Sequence, residues 1–507
     1  MIRLSLALAC AAAAAVSVAS LASAASAATR CVGARPGCYP TLQAAIDASS
    51  DGDTISVLPG VYAGGVTITK NLSVVGSGAA VTIVRGGGPV IAIGQFFSGP
   101  TITVSLSRLT ITGGSNTTAP VPFDPFGGGV WIEPTAAGAT NVVTISDSVI
   151  TANHSGAEGG GIADAGQLTL VNSVVSGNTA GSAAGQRAKG GGIWTSSPGG
   201  TGSLTMRNDI VTGNVAEKDG GDGYRVEGGG IEVQDGETFS IANSIVSDNR
   251  AVSSSQTDAP TDLLVDGAGI RVGDGGTATI SNTTIGDNVA TANAPLGEPT
   301  AADAGLVVSD SVLTLSNTTI SGNRDVLVAR STEDPGPSGS VFEFDGQATI
   351  SNVRVVGNSA SITTTSGVAG ATGAVLAFDL DPQAALLSNS EISGNSVFAQ
   401  SSSGSAAIDG AGLTNNGALV LHNDVIRGNS GFALAPAGTA QGGGIWNGTV
   451  FDPTAPTLTI DSSAVTGNAV GGSAGIASAG GGIFTSFPVT LVHTLVAGNR
   501  PDQCTGC

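Results

Sequence analysis

The chain has 507 residues, 41% of them apolar, with 78 glycines and only 4% aromatic side chains. That is too apolar for a disordered chain and too poor in rings for an ordinary globular core. Thirty-eight acidic against 18 basic residues give a net charge of −20 with no basic stripe, which argues against nucleic acid as a partner. The same field would repel a polyanion unless calcium bridged the two.

In chain order, Arg3 precedes a long Ala/Leu/Val run that closes on Ala25-Ser26-Ala27, the build of a cleaved secretory signal over residues 1–28. Cys10 follows too short an apolar region for a lipid-anchoring site. Past residue 28 no apolar run reaches the ~20 residues needed to span a bilayer, so the mature chain is expected to be exported, soluble, and without a transmembrane segment. Residues 29–52 read as an amino-terminal cap. Leu42, Ala45 and Ile46 share one helical face, and Asp51-Gly52 is a stop signal, so an amphipathic helix is predicted to plug the end of the structure that follows.

Alternating segments begin at residue 53. Eleven copies of an eleven-residue pattern then run from VTISDSVITAN at Val143 to VTLVHTLVAGN ending at Asn499. The third position is always apolar, from Ile145 to Leu491, and the eighth is always Ile or Val. Ser and Thr dominate between them, which is the period of a strand with one buried face. Asn fills the fifth position in eight of eleven copies and the eleventh position in all, so both are predicted to be corners, where Asn tolerates left-handed dihedrals.

Most copies follow a glycine cluster and a branched residue: GGGV at 127 and GGGI at 159, 190, 228, 442 and 480. Each unit thus offers three short strands, and residues 53–499 are predicted to form an all-β parallel solenoid. Repeat spacing varies through stretches rich in Ala, Gly, Ser, Thr and Pro, such as 251–266, 290–304, 331–340 and 396–410, which read as loops leaving one corner.

Residues 500–507 form a tail. Of the cysteines after the signal, Cys31 and Cys38 lie at one end of a long rod and Cys504 and Cys507 at the other, beyond the ~7 Å Cα limit for bridging. Local pairs Cys31–Cys38 and Cys504–Cys507 are therefore expected.

TLQAAIDASSDGDTISVLPGVY at 41–62 resembles the opening segment of the pectin-lyase-like right-handed parallel β-helix proteins, and the GGGI and NSxIxGN units resemble the repeats of bacterial surface members of that superfamily. The resemblance covers nearly the whole mature chain. It implies a right-handed β-helix and leaves the activity open, because the superfamily includes lyases, hydrolases, esterases and adhesins. Val130-Trp131-Ile132-Glu133-Pro134 is similar to a pectate-lyase segment, but Glu133 and Pro134 replace its Asp and His, and the frame recurs around Trp194 and Trp446 as a repeat position. The pectinesterase and polygalacturonase motifs are missing. His154, His422 and His493 read as surface residues at corners.

Calcium is the one cofactor for which the chain offers candidates: Asp219, Asp222 and Glu227 in one charged stretch, and Asp258, Asp262 and Asp266 in another, both otherwise read as solvated loops. Trp131, Trp194, Trp446 and Phe484 each follow the apolar residue of a glycine cluster. Alternation sends these rings outward on one face, with Glu133 close by, where they would stack on sugars or pack beneath their own loops. The expectation is an extracellular or cell-envelope protein of structural or binding role, with a polysaccharide or envelope component as partner. The alternative is a polysaccharide lyase or hydrolase with an unfamiliar site.

Overall fold

The computed structural model describes residues 27–118, 125–135, 140–181, 187–197, 199–219, 225–234, 236–255, 264–296, 301–330, 340–372, 375–378, 385–449 and 455–507. Most of the secretory-signal expectation therefore lies outside the described residues.

The cap forms as expected. A helix spans Leu42–Ala48, the Thr41 hydroxyl accepts from the Ala44 amide, and Leu42, Ala45 and Ile46 are buried. At its other end the Lys70 ammonium donates to the carbonyls of Ile46, Asp47 and Ser49 at 3.2, 3.0 and 2.7 Å, a cation placed where the helix dipole is negative. The Cys31–Cys38 disulfide, with a Cα separation of 4.7 Å, staples the strand Thr29–Val32, which pairs in parallel with Thr54–Val57.

All strand-to-strand ladders beyond this point are parallel, and each strand pairs with its counterpart in the next coil. Ile145 lies opposite Leu170, Leu170 opposite Met206, and Met206 opposite Ile241, all buried in one continuous apolar interior. The strands after the glycines and those opening each repeat belong to one 27-stranded sheet, because Leu306–Ser316 and Phe342–Ser351 run through both without a break. Among the described residues, the second half of each repeat adds one strand to a 14-stranded sheet that begins with Gly60–Ala63, Thr82–Arg85 and Thr110–Thr112.

The structure adds strands where the sequence suggested loops. Among the described residues, an 11-stranded sheet begins at Ser115–Asn116 and continues with a strand after the last Asn of each of ten repeats, and two four-stranded sheets follow it. Arg250–Ser254 runs into 251–266 and Leu264–Asp266 lies within it, Val289–Ala294 runs into 290–304 and Ala301–Ala302 lies within it, and Ser396–Ser401 and Ser405–Asp409 lie within 396–410. Their inward positions are small and mixed, such as Ala251 with Ser253, Ala290 with Ala292, and Ala399 with Ser401, while Val252 and Phe398 face outward, which hides a period of two from a reading by hydropathy. The stretch 331–339 lies outside the described residues.

The two Asn positions also differ in role. The fifth residue of every copy has positive φ, from Asp147 at 50° through Asn172 at 52° to His493 at 47°, and so does the tenth, including Ala152 at 54° and Gly177 at 60°. The eleventh does not, because its side chain turns inward. Asn288 donates its amide nitrogen to Asn323 Oδ1 at 2.9 Å and to the Val246 carbonyl at 3.1 Å, while its backbone N–H donates to the same Asn323 oxygen at 3.1 Å. This pattern repeats from Asn153 to Asn499, where Gln503 of the tail accepts the last pair at 3.0 and 3.2 Å. Each buried amide meets its partners in the coil above or below, so none is left unsatisfied.

In the tail, Cys504–Thr505 pairs in parallel with Ile483–Phe484, and Cys504 and Cys507 are bridged with a Cα separation of 5.9 Å. Among the described residues, no helix is long and apolar enough to cross a membrane.

Candidate functional site

The glycine clusters create a corner flanked by two side-chain columns. At Gly190-Gly191-Gly192 the first residue needs φ of 59°, and a Cβ on the second or third would lie 2.4 or 2.6 Å from a carbonyl of the next coil. Only glycine lets the coils stack this closely. After the turn, Trp131, Ala163, Trp194, Glu232, Arg271, Val307 and Glu343 stand in register on successive coils, followed by Ala377, Thr414, Trp446 and Phe484. Before the turn, Phe126, Glu158, Lys189, Glu227 and Asp266 form the facing column. Residues five apart in sequence thus meet across the corner, such as Phe126 with Trp131 and Asp266 with Arg271.

One end of this corner is aromatic. Phe126 stacks on Trp194 with ring centroids 5.2 Å apart and planes 21° apart, and lies 5.9 Å from Trp131. Phe96 is 5.6 Å from Trp131 and 4.5 Å from Phe97. Together with Pro134, Ala165 and Ser196 they line a cleft of about 180 Å³. Among the described residues, the buried Trp194 indole N–H has no hydrogen-bond partner. Beside the cleft, burial pushes the Glu133 carboxyl above the usual range, against a backbone hydrogen bond at Phe96 that lowers it.

The four rings stand in one column, as alternation placed them, but lie apart along it. Trp131 and Trp194 share the cleft, with Trp194 buried against Phe126 rather than open to solvent. Trp446, also buried, packs over Gly448 and donates Nε1–H to Gln441 Oε1 at 3.3 Å, and Phe484 is half-buried in the next coil. Phe96, Phe97 and Phe126 were missed in the sequence. Phe126 carried a signal, its place directly before a glycine cluster.

The middle of the corner is charged and closed. Arg271 bonds Glu232 at 2.9 Å and Asp266 at 3.3 Å and lies 3.6 Å from Glu227, which also pairs with Lys189 and, at 3.7 Å, with Arg225. Glu227 and Glu232 are 1% and 0% exposed, so the reading of Glu227 and Asp266 as members of solvated loops is corrected: stacking puts cations from neighbouring coils against them. Burial raises the Glu227 carboxyl, but Arg271 and Lys189 outweigh it and hold it low. Burial leaves Glu232 at about 8 despite Arg271, with Glu227 adding to the rise. Of the other calcium candidates, Asp219 ends the strand Val215–Asp219, and Asp222, Asp258 and Asp262 lie outside the described residues. Among the described residues, no group of three His, Cys, Asp or Glu is arranged to hold a metal.

These acids set a pH dependence. Burial pushes Glu232 to about 8, Glu237 to about 7, and Asp209 and Asp424 to about 6, against ~4 in an unfolded chain. Between those values the folded protein holds protons that the unfolded chain has released. Their stabilisation is whole below pH ~4 and is lost as pH rises through 6 to 8. Thermal melts are expected to show a first transition lower at pH 8.5 than at pH 5 by on the order of 5 °C. A flat or rising profile would contradict it.

Residues 261–449 match the family described as right handed beta helix region. No curated protein matches the chain. Among solved structures it is similar to DFA-IIIase from Arthrobacter chlorophenolicus in complex with DFA-III, at 13% identity and TM-score 0.29 over 84% of this chain and 96% of that one. It is also similar to the mannuronan C-5 epimerase A-module of Azotobacter vinelandii, at 14% identity and TM-score 0.27 over 90% and 94%. For pectin methylesterase from Erwinia chrysanthemi the figures are 13% and 0.26 over 51% and 78%. The stacked parallel coils, with the match over 261–449, give this chain a right-handed parallel β-helix fold.

Proposed function

We propose that the chain is an exported, extracellular or envelope-associated β-helix protein that binds carbohydrate non-catalytically, with the aromatic cleft at the glycine corner as its contact. The observation that carries this reading is the convergence of Phe96, Phe97, Phe126, Trp131 and Trp194 on one cleft, with an indole N–H left to donate. Flat apolar walls with one or two polar groups suit the face of a sugar ring better than a charged ligand. The signal-like amino terminus and two local disulfides support export, since such bridges persist in oxidising compartments. A hydrolase or lyase would need its acids within reach of substrate, and the Glu227–Glu232–Arg271 group is sealed.

The test is a screen of the mature protein against neutral and acidic polysaccharides, with and without calcium, reading binding and product release together. Binding without product is expected, weakened at least ~10-fold by Trp131→Ala, a loss of about 1.4 kcal/mol. Unsaturated or new reducing ends would overturn the non-catalytic reading, and undiminished binding by the variant would overturn the cleft.

A further inference from the structure

Just ahead of the first strand, Ala28 is held from both sides. Its carbonyl accepts from the Thr54 N–H at 2.8 Å, and its nitrogen donates to Asp53 Oδ1 at 2.7 Å. Asp53 is buried, and its Oδ2 accepts from the Ser50 N–H at 2.9 Å and from Arg30 Nε at 3.2 Å. One carboxylate thus ties the start of the strand Thr29–Val32 to the turn that ends the capping helix. The N–H groups of Ser50 and Ala28 hold its carboxyl below the usual carboxylate range. Among the described residues, Oδ1 has no partner but the Ala28 nitrogen.

The sequence leaves the end of the signal open. Small residues one and three positions before the bond permit cleavage after Ala25, after Ala27 or after Ala28. The three cuts put different groups on Asp53. A cut after Ala25 leaves an uncharged peptide N–H there, and a cut after Ala28 removes both the donor to Oδ1 and the acceptor of the Thr54 N–H. A cut after Ala27 makes the Ala28 nitrogen a chain terminus, which sets a full positive charge 2.7 Å from a buried carboxylate oxygen.

We propose that a signal peptidase hydrolyses the Ala27–Ala28 bond, and that the α-ammonium so made pairs with Asp53 and locks the amino-terminal cap. The reaction consumes one water: its hydroxyl goes to the Ala27 carbonyl carbon, the C–N bond breaks, and the departing amine takes up a proton. Maturation and folding are thereby coupled, because the cap gains this ion pair only when the signal has gone. The proposal rests on the export reading and is independent of the cleft. Pairing raises the α-amine above the ~8 of a free terminus, so its stabilisation is whole below pH ~8 and is lost as pH rises through the folded value. The other charged groups at this end are Arg30 on the strand, Asp51 in the turn, Asp47 on the helix and Lys70 of the following coil. Asp51 is engaged by the Asn71 N–H, Asp47 by Gln43, and Lys70 by the helix carbonyls.

The full chain, Met1 to Cys507, is expressed in an exporting bacterium, and the first peptide of the recovered protein is identified by mass spectrometry. A start at Ala28 is expected. Any other start past the signal, such as Ser26 or Thr29, would overturn the proposal with export left standing, whereas retention of Met1 throughout would remove the export reading too. Competitive acetylation of the mature α-amine across a pH series then tests the pair. The amine should titrate at least about one pH unit above the ~8 of a free terminus, a ~10-fold tighter hold on its proton. Asp53→Asn should return it to ~8, and so should a chain that begins one residue earlier, at Ala27, and keeps the Ala28 hydrogen bonds without the charge. A value of ~8 or below in the chain that starts at Ala28, or a raised value in either control, would overturn the ion pair.

Discussion

Asn288→Ala is expected to cost roughly 4 kcal/mol or more in urea unfolding, because it strands three or four buried groups at about 1–3 kcal/mol each. Asn249 would lose the acceptor of both its backbone N–H and its amide nitrogen, each at 3.0 Å, while the Val246 carbonyl and Asn323 Oδ1 would lose the donors that Asn288 supplies. No water can reach the site, since Asn249, Asn288 and Asn323 are all fully buried. Asn282, six residues earlier in the same repeat, is the control: it is exposed, with φ of 49°. Asn282→Gly should be close to neutral, since glycine takes that conformation freely. If the two variants lost similar stability, the ladder would not be what holds the coils together.

Arg271→Met is expected to cost about 3–5 kcal/mol, the usual loss when one partner of a buried ionic group is removed. The guanidinium lies within 2.9 to 3.6 Å of Glu232, Asp266 and Glu227, and without it three carboxylates share a dry space with Lys189 as the nearest cation. The loss should grow with pH. Removing the cation raises the folded-state pKa values of these acids further, so more stability disappears between pH 5 and 8 than in the native protein. Melting of both proteins at pH 5 and pH 8 checks the sign: equal losses would mean the acids do not titrate in that window. Adding Glu232→Leu should recover part of the deficit, since a well-packed apolar group can replace a buried ion pair.

Apart from Asp266 with Arg271, both predictions depend on contacts between residues 35 to 44 apart, and this is where legibility in the sequence ends. The strands of the repeats could be read directly, because Ile145, Leu170 and Met206 alternate with Ser and Thr over a few residues. The capping helix could be read too, from Leu42, Ala45 and Ile46 on one face. Asn172 and Asn178 looked alike, both Asn at a corner, yet the first takes φ of 52° at the surface and the second turns its amide into the ladder. Nothing local separates them.

The same holds for the glycine corner. The recurrence of Trp after the glycines marked Trp131 and Trp194 as a repeat position, but that Phe126 would lie between them, or that Phe96 would close the cleft, followed only from the register of neighbouring coils. Glu227 and Asp266 looked solvated in stretches dense in charge, and they are buried because coil stacking brings Lys189 and Arg271 opposite them. The solenoid, its repeat and its cap could be read from alternation, turn residues and helix signals, because these act between near neighbours along the chain. Which side chains meet across the coils depends on register, because a shift of one residue in the pairing of two strands would turn every one of them to the other face.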